Sequence, residues 1–208
     1  MQDRYLYLAR HGAAVSEEGG LTGAGRRQAE LLGRRLRGVP LAAVHHGPLP
    51  RAAETARLVA RELDGVPLHA CEAAGDYVPH VPGRDELPSA SADGLLARLA
   101  PVTERERAHG AELARRALAG FTGPADGSAG DAPRHELVVT HAFLVAWLVR
   151  AALDAPAWRW LGFTPANAAL TVIRYTGTRP AAVLAYNDQG HLPEDLRWTG
   201  VPAPLRTP

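Results

Sequence analysis

The sequence predicts an α/β fold with a mostly parallel central sheet. Three observations predict it. Short strand patterns alternate with helical ones along the 208 residues. No internal repeat or change of composition divides the chain, so residues 1–208 read as a single domain. Two strand patterns end in histidines, His11 and His141, and open α/β sheets bind ligands beyond the carboxyl ends of their strands.

The elements follow in order. Tyr5-Leu6-Tyr7-Leu8-Ala9 is a run of strand formers ending in Arg10-His11-Gly12, a natural turn off a strand tip. Thr22 can cap a helix reaching about residue 37, with Ala29, Leu32 and Leu36 on one face and arginines on the other. Residues 39–44 read as a second strand, 51–63 as a helix through Ala52, Thr55, Ala56, Val59 and Leu63, and 66–70 as a third strand. The text at 71–91 turns loop-like around Pro79, Pro82 and Pro88, in the manner of a mobile, substrate-facing loop. Helical patterns occupy 92–99 and 103–121, where Thr103 and Glu106 fit a capping box. Residues 123–133, rich in Gly, Pro, Ala and Asp, read as a mobile connection. The whole of 71–133 therefore reads as a substrate-facing insertion. Leu137-Val138-Val139-Thr140 is a buried-strand run, 142–153 an apolar helix, and 168–175 with 181–186 a closing pair of strands.

Composition excludes some functions without naming one. A net charge of +1 implies no long-range field for nucleic acid or anionic lipid. No segment has the apolar length of a membrane span and no leader precedes the first strand, so the expected setting is the cytoplasm. Cys71 stands alone, which leaves no disulfide framework or thiolate cluster. His45 and His46 are adjacent, and neighbours on a strand point to opposite faces, so they make a poor metal pair. Trp147, Trp158, Trp160 and Trp198 read as core and rim, and the arginines of 26–37 as a solvated face.

Phosphoryl transfer through an imidazole needs a neutral histidine whose second ring nitrogen is held by a hydrogen bond. It needs forked cationic donors for the phosphoryl oxygens and a carboxylic acid for the leaving oxygen. Arg10-His11-Gly12 sets a guanidinium beside an imidazole, with a glycine that allows close backbone approach. Arg51 opens a helix behind Gly47-Pro48-Leu49-Pro50, where amide donors and the helix dipole favour an anion.

Four motifs, in order and spacing, resemble the histidine phosphatase superfamily, the phosphoglycerate-mutase-like fold. They are Leu8-Ala9-Arg10-His11-Gly12; Leu21-Thr22-Gly23-Ala24-Gly25-Arg26-Arg27-Gln28-Ala29; the stretch Gly47 to Ala56 with Arg51-Ala52 and Thr55-Ala56; and Val138-Val139-Thr140-His141-Ala142. The ending Asn187-Asp188-Gln189-Gly190-His191-Leu192-Pro193 resembles a branch that includes protein phosphatases. The resemblance implies a three-layer α/β/α fold and a phosphatase with a phosphohistidine on His11. Arg10, Arg51 and His141 would hold the phosphoryl group, His141 protonated or donating a hydrogen bond. The acid would lie in the loop at 71–91, as Asp76 by its distance from Arg51, with Glu72 the alternative. No metal or cofactor is implied. The expected partner is a phosphorylated small molecule or a phosphoprotein, with no nucleic acid or membrane, and a homodimer stays open. A phosphomutase and a non-catalytic phospholigand-binding module are the rival readings. Three positions depart from the pattern: Gly47 for Ser, Ala14 for Thr and Ala142 for Gly.

Overall fold

The computed structural model describes residues 2–16, 18–126 and 132–206. One six-stranded sheet orders its strands β3-β2-β4-β1-β5-β6. They are β1 (Arg4–Arg10), β2 (Leu41–His46), β3 (Leu68–Ala70), β4 (Arg134–Thr140), β5 (Leu170–Tyr175) and β6 (Ala182–Asp188). β3, β2, β4 and β1 pair in parallel, while β5 runs antiparallel to both β1 and β6. The sheet is mostly parallel, as expected, and is mixed only through β5, which alone is reversed.

Helices cover both faces because the strands alternate. Leu6 and Leu8 of β1 and Val138 of β4 pack with α4 (Glu104–Phe121) and α5 (Ala142–Ala152). On the other face, Tyr7 and Ala9 of β1 and Leu137 and Val139 of β4 pack with α1 (Gly23–Arg35) and α2 (Pro50–Ala60). The apolar stripe predicted for α1 is the buried one, Ala29, Leu32 and Leu36. Its arginines lie outside, several paired with Glu54, Glu30 and Glu62. α3 (Ala92–Leu99) and the Thr103–Glu106 capping box on α4 form where the sequence predicts them. Trp160 and Trp147 are buried and Trp158 and Trp198 half-buried.

Several ends differ from expectation. α1 stops at Arg35, with Leu36 as its cap and Gly38 at φ +83° turning the chain. Pro40, lacking an N–H, delays β2 to Leu41. α2 ends at Ala60 and β3 shrinks to three exposed residues at the sheet edge. Of the connection expected at 123–133, residues 127–131 lie outside the described residues, while Ala125 bridges Gln2. No helix among the described residues is long and apolar enough to cross a membrane.

Candidate active site

The parallel register of β1 and β4 builds the site. Arg10 lies opposite Thr140, so His11 and His141 leave adjacent strand tips, and the His11 N–H donates to the Thr140 carbonyl at 2.9 Å. The imidazole centroids stand 5.0 Å apart. On the other side of β4, Gly47 N–H donates to the Val139 carbonyl as β2 ends, which aims the first turn of α2 and Arg51 at the same point.

Gly12 is needed for packing: a Cβ there would lie 2.5 Å from the Gly25 carbonyl oxygen. Its N–H donates to Thr55 Oγ1 at 3.0 Å, and the Thr55 hydroxyl donates to the Arg51 carbonyl at 2.7 Å. Thr55 thereby ties α2 to the loop after His11. Buried Gln28 accepts from the Ala13 N–H and donates to the Leu196 carbonyl and Thr199 Oγ1. Asn167 Nδ2 donates to the His11 carbonyl at 2.9 Å.

His11 is buried, and its Nδ1–H donates to the Gly12 carbonyl at 2.8 Å. That bond leaves Nε2 with a lone pair, which accepts from Arg51 Nε at 3.2 Å. Burial, then the neighbouring His141 and both arginines, push the His11 pKa down to about 3, with the Gly12 bond opposing. The imidazole is neutral at pH 7, as a nucleophile requires. Burial and the charges of Arg51 and Arg10 likewise push His141 down to about 3. His141 is therefore neutral in the free site, where the resemblance left protonation open, and a neutral imidazole carries one N–H donor.

Arg10 Nη1 donates to the carbonyls of Pro165 and Gly200, at 3.0 and 2.9 Å. Its Nε is buried without a hydrogen-bond partner, as are Arg51 Nη1 and both ring nitrogens of His141. Buried polar groups almost always find partners, and here donors from three chain-remote residues converge on one cavity of about 840 Å³. Convergent cationic and N–H donors suit a tetrahedral oxyanion.

Asp76 stands on the cavity wall, accepting from Arg51 Nη2 at 2.6 Å, with its carboxylate 3.4 Å from His141 Nδ1. Glu72 does not join it. It sits on a 3-10 turn, largely exposed, 3.4 Å from Arg116. Away from the arginines the cavity is lined by Tyr77, Val78, Val102 and Phe143, with Glu106 and His109 on α4. A Cβ at Gly47 would collide with the Ala74 carbonyl, so serine there requires the turn at 72–74 to sit farther out. Asn167, Gly200 and Thr199 escaped the sequence reading, because they lie in irregular segments carrying neither periodicity nor a motif. No group of three or more His, Cys, Asp or Glu among the described residues could hold a metal ion.

The chain is similar to known proteins in sequence and in fold. The chain is 28% identical over 201 residues to the human mitochondrial serine/threonine-protein phosphatase PGAM5, covering 92% of this chain and 65% of that one. It thus spans just under two thirds of the length of that relative. Bacillus stearothermophilus YhfR superposes with a TM-score of 0.67 at 25% identity, over 90% of this chain and 98% of that one. Phosphoglycerate mutase from Bacillus anthracis shares the fold, with a TM-score of 0.68 at 18% identity over 91% and 95% of the two chains. A family model matches residues 6–189, and the chain belongs to the histidine phosphatase superfamily (branch 1).

Proposed function

We propose that the protein hydrolyses phosphate monoesters through a covalent phosphohistidine on His11. The observation that carries this reading is the set of buried, unpartnered donors on Arg10, Arg51 and His141 around a neutral His11. Arg10 would bind the phosphoryl oxygens by its Nε–Nη2 edge, Arg51 by Nη1 and His141 by a ring N–H. His11 Nε2 attacks phosphorus in line, forming N–P as the P–O bond to the leaving group breaks. Asp76, as a carboxylic acid, gives its proton to that leaving oxygen. The resulting carboxylate then takes a proton from water, whose oxygen attacks phosphorus as N–P breaks, and inorganic phosphate and neutral His11 are restored.

Arg51 pairs with Asp76 in the free site. A bound dianion would draw that guanidinium toward its own oxygens and free the Asp76 carboxyl to meet the leaving oxygen. Hydrolysis is preferred over mutase chemistry because, among the described residues, the outer wall offers no further arginine. Glu106, His109 and apolar side chains stand where a mutase would need arginines to grip a second anionic group. The relative named as a serine/threonine-protein phosphatase supports a phosphoprotein substrate. The phosphoryl-end donors suit a small phosphorylated metabolite equally.

His11→Ala is expected to abolish hydrolysis of 4-nitrophenyl phosphate while circular dichroism shows the fold intact. Full retained turnover would sink the assignment. Phosphate binding by the parent protein without turnover over a panel of esters would instead favour a binding module.

A further inference from the structure

Arg10 is positioned by a segment far from it in the chain. Residues 196–201 cross the mouth of β1, and Thr199 and Gly200 line the cavity. The crossing is tied down at every step. Gln28 Nε2 donates to the Leu196 carbonyl and Thr199 Oγ1, the Asn167 N–H donates to the Thr199 carbonyl, and the Trp198 N–H donates to Gln189 Oε1. Val201 is buried against Ala166 and Ala169. Trp198 holds φ +58° and Gly200 φ +74°. A left-handed tryptophan is costly and persists only where its surroundings hold it, as they do here.

The product of this arrangement is one carbonyl. The Gly200 oxygen, with that of Pro165, takes both Nη1 hydrogens of Arg10. That leaves the guanidinium one free fork, Nε with Nη2, and fixes its direction. The strap also leaves no room for a side chain. A Cβ at Gly200 would lie 2.7 and 2.8 Å from the Arg10 Nη atoms and would collide with Asn167 Oδ1. Asn167 in turn holds the His11 carbonyl.

We propose that Gly200 is a positioning residue for the anion site: its carbonyl and its lack of a side chain set the direction of the Arg10 fork, through which it acts on the phosphoryl group. This rests on the phosphatase reading above.

The test is a double-mutant cycle of Gly200→Ala and Arg10→Ala in the full chain. It is read by kcat/KM for 4-nitrophenyl phosphate and, separately, by the Kd for inorganic phosphate from calorimetry. Gly200→Ala is expected to lower kcat/KM and weaken phosphate binding by about tenfold or more, the scale of one misdirected electrostatic contact. In the Arg10→Ala background the same substitution should cost several-fold less, the remainder passing through Asn167 to His11. An equal loss in both backgrounds overturns the proposal, as does an unchanged Gly200→Ala enzyme. If Gly200→Ala does not fold, Thr199→Val takes its place in the cycle. It removes the Gln28 anchor while adding no atom beside Arg10, and the same two outcomes apply. If the parent protein binds phosphate but turns nothing over, the phosphatase reading fails and the binding cycle still decides this one.

Discussion

At the scale of single residues, the site depends on which groups are charged before an anion arrives. His11 and His141 are both neutral, and the fixed positive charge resides on Arg10 and Arg51. Asp76 is the carboxylate within reach of that cluster, whereas Glu72 is turned toward Arg116. General acid catalysis contributes typically about 10²–10⁴-fold, and it matters most when the leaving oxygen is a poor leaving group. Asp76→Asn is therefore expected to depress kcat/KM, which reports phosphoryl transfer to His11 and not the later hydrolysis, by about that factor for an alkyl phosphate. The loss should be much smaller for 4-nitrophenyl phosphate, whose phenolate leaves without a proton. Glu72→Gln should stay near the parent rate on both esters. Equal losses for the two esters in Asp76→Asn would remove Asp76 from the proton-donor role.

At the scale of elements, the strand tips deliver the histidines and α2 delivers Arg51, but the join between them hangs on Thr55. Its hydroxyl accepts from Gly12 and donates to the Arg51 carbonyl within the helix. Thr55→Val keeps the shape and strands the buried Gly12 N–H, an unsatisfied donor that costs about 1–3 kcal/mol. Urea unfolding should register that loss, together with a lower kcat/KM as the loop after His11 relaxes. A variant as stable and as active as the parent would show that α2 is held by packing alone. Sequence served the elements well where one period dominated. The stripe of α1, the capping box of α4 and the apolar run of β4 all appear in place. It served poorly at edges such as β3, because an edge strand is decided by the neighbour it pairs with.

At the scale of the whole molecule, burying neutral imidazoles at the centre of the fold carries a linkage to pH. In the unfolded chain the histidines take protons below about 6.5, while His11 and His141 in the folded chain resist protonation down to about 3. The unfolded state binds more protons in that interval, so stability falls as pH drops through it, with a slope approaching about 1.4 kcal/mol per pH unit for each histidine. Glu136 acts in the same direction. Burial raises its pKa, but hydrogen bonds from His45 and Arg134 and the charges of Arg4 and Arg134 outweigh it and hold the group at about 2. Its contribution is present above its ordinary 4.5 and is lost as pH falls toward 2. The melting temperature is thus expected to fall steadily from pH 7 to pH 4, and His141→Asn should flatten that decline. A melting temperature independent of pH across the interval would contradict the burial of neutral histidines.

The sequence by itself determined the layered α/β plan and four of the groups at the site, because periodicity and short motifs are local properties of the chain. Arg10 and His11 are neighbours, Arg51 opens a helix, and His141 ends a strand. Only the tertiary structure shows which of Asp76 and Glu72 lines the cavity. Four residues apart on one loop, they are chemically alike in the chain and differ in which arginine each one meets. Only the fold, likewise, drew Asn167 and Gly200 to the back of the site. Their service is a carbonyl, an amide and an absent side chain, and such roles leave no pattern in the sequence because they depend on what lies across the cavity.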